Sequence, residues 1–330
     1  MISRVRPLSP ALFALFVAVV FLLVRTIPLG AQTTRPGDRP EKADQHDDSR
    51  FLRFVGDGTK GGMLETSEAV YKNADGVTVR LVSAVHIGEP AYFHDIQLSF
   101  QKCDAVLYEM VKPRDSGPPQ KGVHSDSAVS KLQRFLKDRL DLAFQLDEID
   151  YTKDNFVHAD LDAETFQELQ SERGESFASL MLQALLRSLS DPGAMKTFDD
   201  EPTDMVELMT RPDGERQLKL LLGRHMGDLE REASGLDMLS GSVILTERNK
   251  AVMSKLDETL KAGKKDIAIF YGAAHMTELS AELEKRGFQH AATKWRPAWD
   301  ATIRANEPSA FQKLVDGAGK QLLDSLKDGQ

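Results

Sequence analysis

The chain has 330 residues, 41% of them hydrophobic and 28% charged, with a formal net charge of −9. That length holds one large domain or two small ones, with enough apolar residues for a sizeable core. An acidic body repels phosphate backbones, which argues against nucleic acid as a partner. The lone cysteine, Cys103, excludes an intramolecular disulfide and a cysteine-ligated metal site. Its apolar surroundings make it a small buried hydrophobe.

At the N-terminus, Arg4 and Arg6 precede an apolar run from Ala11 to Val24, and a short segment ends at Ala31. This pattern fits a secretory signal peptide over residues 1–31. An uncleaved anchor fits the same residues, because Leu29 suits a cut after Ala31 poorly. Export to the periplasm or exterior is expected either way, with membrane attachment only through this segment. Cleavage would remove three arginines and no acid, leaving a charge of −12. Residues 32–50 are polar and proline-containing, and read as a disordered linker.

The folded body is expected over 51–300. Residues 63–73 and 76–85 read as two strands of a hairpin, with Asn73, Asp75 and Gly76 supplying turn chemistry. Apolar residues at helical spacing predict a helix over 89–102, followed by a buried strand, AVLYEMV. A Pro/Gly-rich loop spans 112–122, and a helix is expected over 125–144. A second strand candidate spans Asn155–Asp160. Helices then follow over 161–170, 176–189, 215–231 and 242–261, with an acidic loop at 191–204. The purely helical stretch from 178 to 231 suggests an insertion on an α/β core. Gly263 closes the last helix. DIAIFYGAAH is a strand entering a small-residue turn, a helix runs from Met276 to Arg286, and a last strand lies near 288–293. Residues 301–330 are expected to form a helical tail. Strands alternating with helices predict an α/β fold whose mixed, mostly parallel sheet is flanked by helices.

Several strand candidates run into polar residues at their carboxyl ends: His86, Glu109, His158 with Asp160, and His275. Open α/β sheets bind ligands at that edge. His86, Glu109 and His275 would together make a two-histidine, one-carboxylate set suited to a divalent metal. Glu109 lies inside the apolar run AVLYEMV, where burying a carboxylate requires a cation or strong hydrogen bonds. A metal would meet that need, and so would Arg248. Each histidine also fits a simple core or capping role, Asp160 fits the N-cap of the helix from Leu161, and Glu247 with Arg248 fits a solvated helix pair. His94 reads as surface, and His46, His124, His225 and His290 have no converging partner.

The ordered series LVSAVHIGEPAYF, DAVLYEMV, ILTERNKAVMSKL and IAIFYGAAHMTELSAELEKRGF resembles the TraB/TIKI family. That family's pattern is a G-x-x-H turn, a glutamate ending the next strand, an E-R-N/D-x-x-M helix and a second G-x-x-H. The match spans about Val77 to Phe288, and Ser83 stands where the first glycine is expected. The resemblance implies metal or catalytic roles for His86, Glu109 and His275, and supporting roles for Glu247, Arg248 and Asn249. His158 and Asp160 are secondary candidates. Gly272 would let the second turn pass tightly beneath the site.

The same resemblance implies a metal-dependent hydrolase acting on a peptide or protein. His86 and His275 would ligate the ion, which could be manganese, cobalt, zinc or iron. Glu109 would ligate it or act as general base, and Arg248 would stabilise developing negative charge. A non-catalytic peptide- or signal-binding protein using the same cleft is the alternative. A structural envelope protein, in which Glu109 and Arg248 form a buried pair, is a third reading.

Overall fold

The computed structural model describes residues 50–56, 61–122, 140, 142–175, 214–231 and 242–302. The N-terminal segment, the linker before Arg50, the helix at 176–189, the acidic loop and the tail beyond 302 lie outside them. Among the described residues no helix is long and apolar enough to cross a membrane.

Strands β1 (Leu52–Gly56) and β2 (Gly62–Lys72) pair antiparallel, and β2 pairs antiparallel with β3 (Thr78–Ala84). The expected hairpin is closed by Asn73, whose Oδ1 accepts the N–H groups of Asp75 and Val77 at 3.1 and 2.9 Å. Gly76 supplies the positive φ of 75° that this turn requires. A two-residue strand β4 (Ile87–Gly88) and helix α1 (Pro90–Phe100) follow, and α1 buries Tyr92, Phe93, Ile96 and Phe100. Strand β5 (Ala105–Tyr108) is buried throughout.

The helix expected over 125–144 does not reach its predicted end. Ala143–Phe144 form strand β6, antiparallel to β4, and the part before Leu140 lies outside the described residues. Leu142, Ala143 and Phe144 are all buried, so no polar face remains for an amphipathic helix, and β4 offers the backbone partners instead. A short helix α2 (Gln145–Glu148) leads to β7 (Phe156–His158) and α3 (Ala163–Arg173). Helix α4 (Gly214–Arg231) lies on β1, where Gly227 allows Phe54 to approach so closely that a Cβ would come within 2.6 Å of its nitrogen.

A π-helical turn, Val243–Glu247, opens helix α5 (Arg248–Lys261). Gly263, at φ 80°, ends α5 with left-handed backbone. Strand β8 (Asp266–Gly272) passes through a short 3-10 turn into α6 (Met276–Lys285), and β9 (Gln289–Asp300) runs well past the strand expected from the sequence.

The seven-stranded sheet has the order β1-β2-β3-β8-β5-β7, and β9 also pairs with β2. Strand β2 alone opposes the other six, which makes the sheet mixed and mostly parallel. Strand β8 enters late in the chain yet sits between β3 and β5. Its residues face both apolar layers in turn: Ala268 and Phe270 toward α1, Ile267, Ile269 and Tyr271 toward α5 and α6. Fully burying each large side chain is worth about 1.5–3 kcal/mol. Burial on both faces explains the continuous apolar runs of β5 and β8.

Candidate functional site

The parallel registers bring the strand ends to one rim. Ala84 aligns with Gly272, and Tyr108 aligns with both Phe270 and His158. The residues after each strand therefore gather along a single edge, as the polar strand ends suggested.

Glu109 is at the centre, its side chain 11% exposed. Its Oε1 accepts from Nη2 of Arg248 at 2.6 Å, and its Oε2 accepts from the Gly272 N–H at 2.6 Å. A Cβ on Gly272 would stand 3.3 Å from that Oε2, so the missing side chain keeps the loop against the carboxylate. Burial alone would raise the Glu109 pKa. In acid, the His275 and Arg248 cations, with His86 and the Gly272 N–H, outweigh it and hold the group at about 2.

Arg248 also binds Asp160 through Nε, at 2.9 and 3.2 Å, and through Nη2 at 2.5 Å. The Asp160 side chain is fully buried, and its Oδ1 also accepts the Leu161 N–H at 2.8 Å. The N-cap reading of Asp160 is thus replaced: Asp162 caps α3, accepting from Thr165 at 2.9 Å. The solvated-pair reading of Glu247 and Arg248 also fails for Arg248. Consecutive helical residues diverge in direction, so Arg248 turns inward while Glu247 pairs with Arg173 and Lys250. Burial opposes the charge of Arg248, but Glu109 and Asp160 more than compensate and raise its pKa.

His275 is 5% exposed, with Nε2 lying 3.6 Å from Oε1 of Glu109. Its Nδ1 lies 2.7 Å from Oδ1 of Asn249, itself 2% exposed. Burial lowers the His275 pKa to about 4; Glu109 works against this shift and Arg248 with it. His275 is therefore neutral, and Glu109 ionised, at neutral pH. His86 is exposed, with Nδ1 3.3 Å from Oε1 of Gln145, and it acts electrostatically on both Glu109 and His275.

His158 stands apart from this cluster: its Nε2 lies 2.6 Å from the Met110 carbonyl oxygen, and burial lowers its pKa. His94 and His290 are exposed. Cys103 is buried, and desolvation pushes its thiol up to about 12, which fits a packing role. Ser83, 1% exposed, carries the one buried side-chain polar atom without a hydrogen-bond partner among the described residues.

Gln145, beside His86, and Glu278 escaped sequence reasoning. Glu278, in the first turn of α6, accepts from Nδ2 of Asn249 at 2.9 Å and from the Thr246 hydroxyl at 3.2 Å. Its position three residues after His275 was the available signal, since that spacing puts both on one helical face.

The donor set suits a divalent cation in part. Nε2 of His275 and Oε1 of Glu109 stand 3.6 Å apart, and Glu109 with Asp160 outweighs Arg248 by one negative charge. Among the described residues, no group of three His, Cys, Asp or Glu side chains stands close enough to hold a metal ion. Comparison with family models, with curated proteins and with solved structures finds no match.

Proposed function

We propose that this chain is an exported, divalent-metal-dependent hydrolase of the TraB/TIKI kind, acting on a peptide or protein. Four motifs in order support the family reading, and the rim that gathers Glu109, Arg248 and His275 supports the site. The carrying observation is the gap of 3.6 Å between His275 Nε2 and Glu109 Oε1. Nδ1 faces a carbonyl-type oxygen of Asn249, so in a neutral ring Nε2 presents its lone pair to an ionised carboxylate. Two acceptors held face to face in a buried site call for a donor or a Lewis acid between them.

A divalent cation there would polarise a scissile carbonyl and acidify a water molecule. His275 and Glu109 would hold it, with His86 as the further imidazole on the rim. An ionised carboxylate bound by the Arg248 guanidinium and the Gly272 N–H is a weak base, which favours Glu109 as an anionic ligand over a proton acceptor. Arg248 fixes Glu109 in place. Its Nη1 takes no part in the bonds to Glu109 and Asp160, which leaves N–H donors for negative charge on a reacting group. A second reading, a structural cluster, draws support from how completely Arg248 satisfies the two carboxylates.

The deciding measurement is metal content with the metal-dependent shift in Tm, for the wild type, His275→Ala and Glu109→Gln. A divalent ion that stabilises the wild type and neither variant supports the metal site and a peptide-hydrolysis screen. Absence of bound metal with identical shifts in all three sinks the metallohydrolase reading and leaves a binding or structural role.

A further inference from the structure

Behind His275 runs a chain of contacts leading away from the strand-end rim. Its Nδ1 meets Asn249 Oδ1 at 2.7 Å, Asn249 Nδ2 donates to Glu278 Oε2 at 2.9 Å, and the Thr246 hydroxyl donates to the same oxygen at 3.2 Å. Glu278 also lines a groove of about 310 Å³ between α5 and α6, shared with Lys250, Asp257, Glu282 and Arg286. Each contact constrains the next. A carboxylate offers only acceptors, so the Asn249 amide must turn its NH2 toward Glu278 and its oxygen toward His275. That oxygen requires a donor at Nδ1, and a neutral imidazole has only one N–H.

We infer that Glu278 is a positioning residue that fixes His275 in the Nδ1–H tautomer through Asn249. Nε2 is then left bare and directed at Glu109. The inference rests on the proposed function only in taking His275 as the working imidazole. Replacing Glu278 by glutamine removes the constraint, because a glutamine side chain can donate or accept and so permits either orientation of Asn249.

Long-range proton–nitrogen NMR of the uniformly labelled full chain at neutral pH, without added metal, reads the tautomer directly. The His275 signals are identified by their loss in His275→Asn. The wild type is expected to be almost wholly Nδ1–H, and Glu278→Gln a mixture with a substantial Nε2–H fraction. Glu282→Gln lines the same groove without touching Asn249, and is expected to match the wild type. The double variant Asn249→Asp/Glu278→Gln restores Nδ1–H, because an aspartate accepts from Nδ1 without being oriented by Glu278. An Nε2–H wild type overturns the inference whether or not any variant folds, and so does a folded Glu278→Gln that keeps the wild-type tautomer. Failure to hydrolyse any peptide would overturn the functional reading alone, since the tautomer is read without substrate.

Discussion

Arg248 holds two carboxylates that would otherwise be buried without a counter-charge. Removing one partner of such a cluster costs much more than the cluster adds in net stability, because the charges left behind remain desolvated. Arg248→Met is therefore expected to lose about 3–5 kcal/mol in urea unfolding, the loss falling on Glu109 and Asp160 at 2.6 and 2.5 Å from its Nη2. Ser83 presents the opposite case. Its Oγ is buried without a hydrogen-bond partner among the described residues, so the native state carries part of the hydroxyl's desolvation cost. Ser83→Ala should stabilise the protein by about 1 kcal/mol in the same experiment; a loss of stability would mean that the hydroxyl is satisfied. The Glu109 carboxylate was legible in the sequence as a charge in an apolar run that needed a cation. A metal and Arg248 both fitted that need in the sequence, and the fold brings Arg248, 139 positions away, to 2.6 Å from the carboxylate.

Element boundaries explain how the site side chains are aimed. The π turn at Val243–Glu247, capped by Ser242 accepting from Leu245 at 3.3 Å, directly precedes Arg248 and Asn249. Its i→i+5 bonding widens the turn and rotates the start of α5, and such turns recur at functional sites. The sequence showed one helix here because the apolar spacing hardly changes across the turn. Helix α3 starts two residues later than its apolar pattern suggested, which frees Asp160 from capping and gives that task to Asp162. The Thr165 N–H, together with Arg114, holds the Asp162 carboxyl at about 2, below its ordinary 3.8. A depressed folded-state pKa means that the unfolded chain binds more protons between those values, so the stabilisation is present above about 4 and is lost as pH falls toward about 2. The Tm difference between the wild type and Asp162→Asn should be constant from neutral pH to about 5 and narrow below about 4. A pH-independent difference would show that the carboxylate charge plays no part.

Across the whole molecule, the last strand completes the sheet. Strand β9 pairs with β2 from Met63↔Asp300 to Lys72↔Gln289, and it buries Arg296 against Glu68, which also accepts from Arg80. A chain ending at Gly287 would leave β2 unpaired along that side and Glu68 without Arg296. Such a chain is expected to lose cooperative thermal unfolding by circular dichroism, whereas one ending at Thr302 should keep it. Equal cooperativity in the two would show that β9 is dispensable to the core.

The sequence by itself determined what depends on near neighbours. Apolar periodicity marked the strands and helices, Asn73 and Gly76 marked the hairpin turn, and polar residues after apolar runs marked the strand ends. The tertiary structure decided what depends on strand order. Strand β8, formed late in the chain, lies between β3 and β5, so the turn after it carries His275 to the side of Glu109. Asp160 faces inward rather than capping a helix, and Glu278 reaches His275 through Asn249. These pairings join residues far apart in sequence, and local pattern holds no record of which strand will insert between which others.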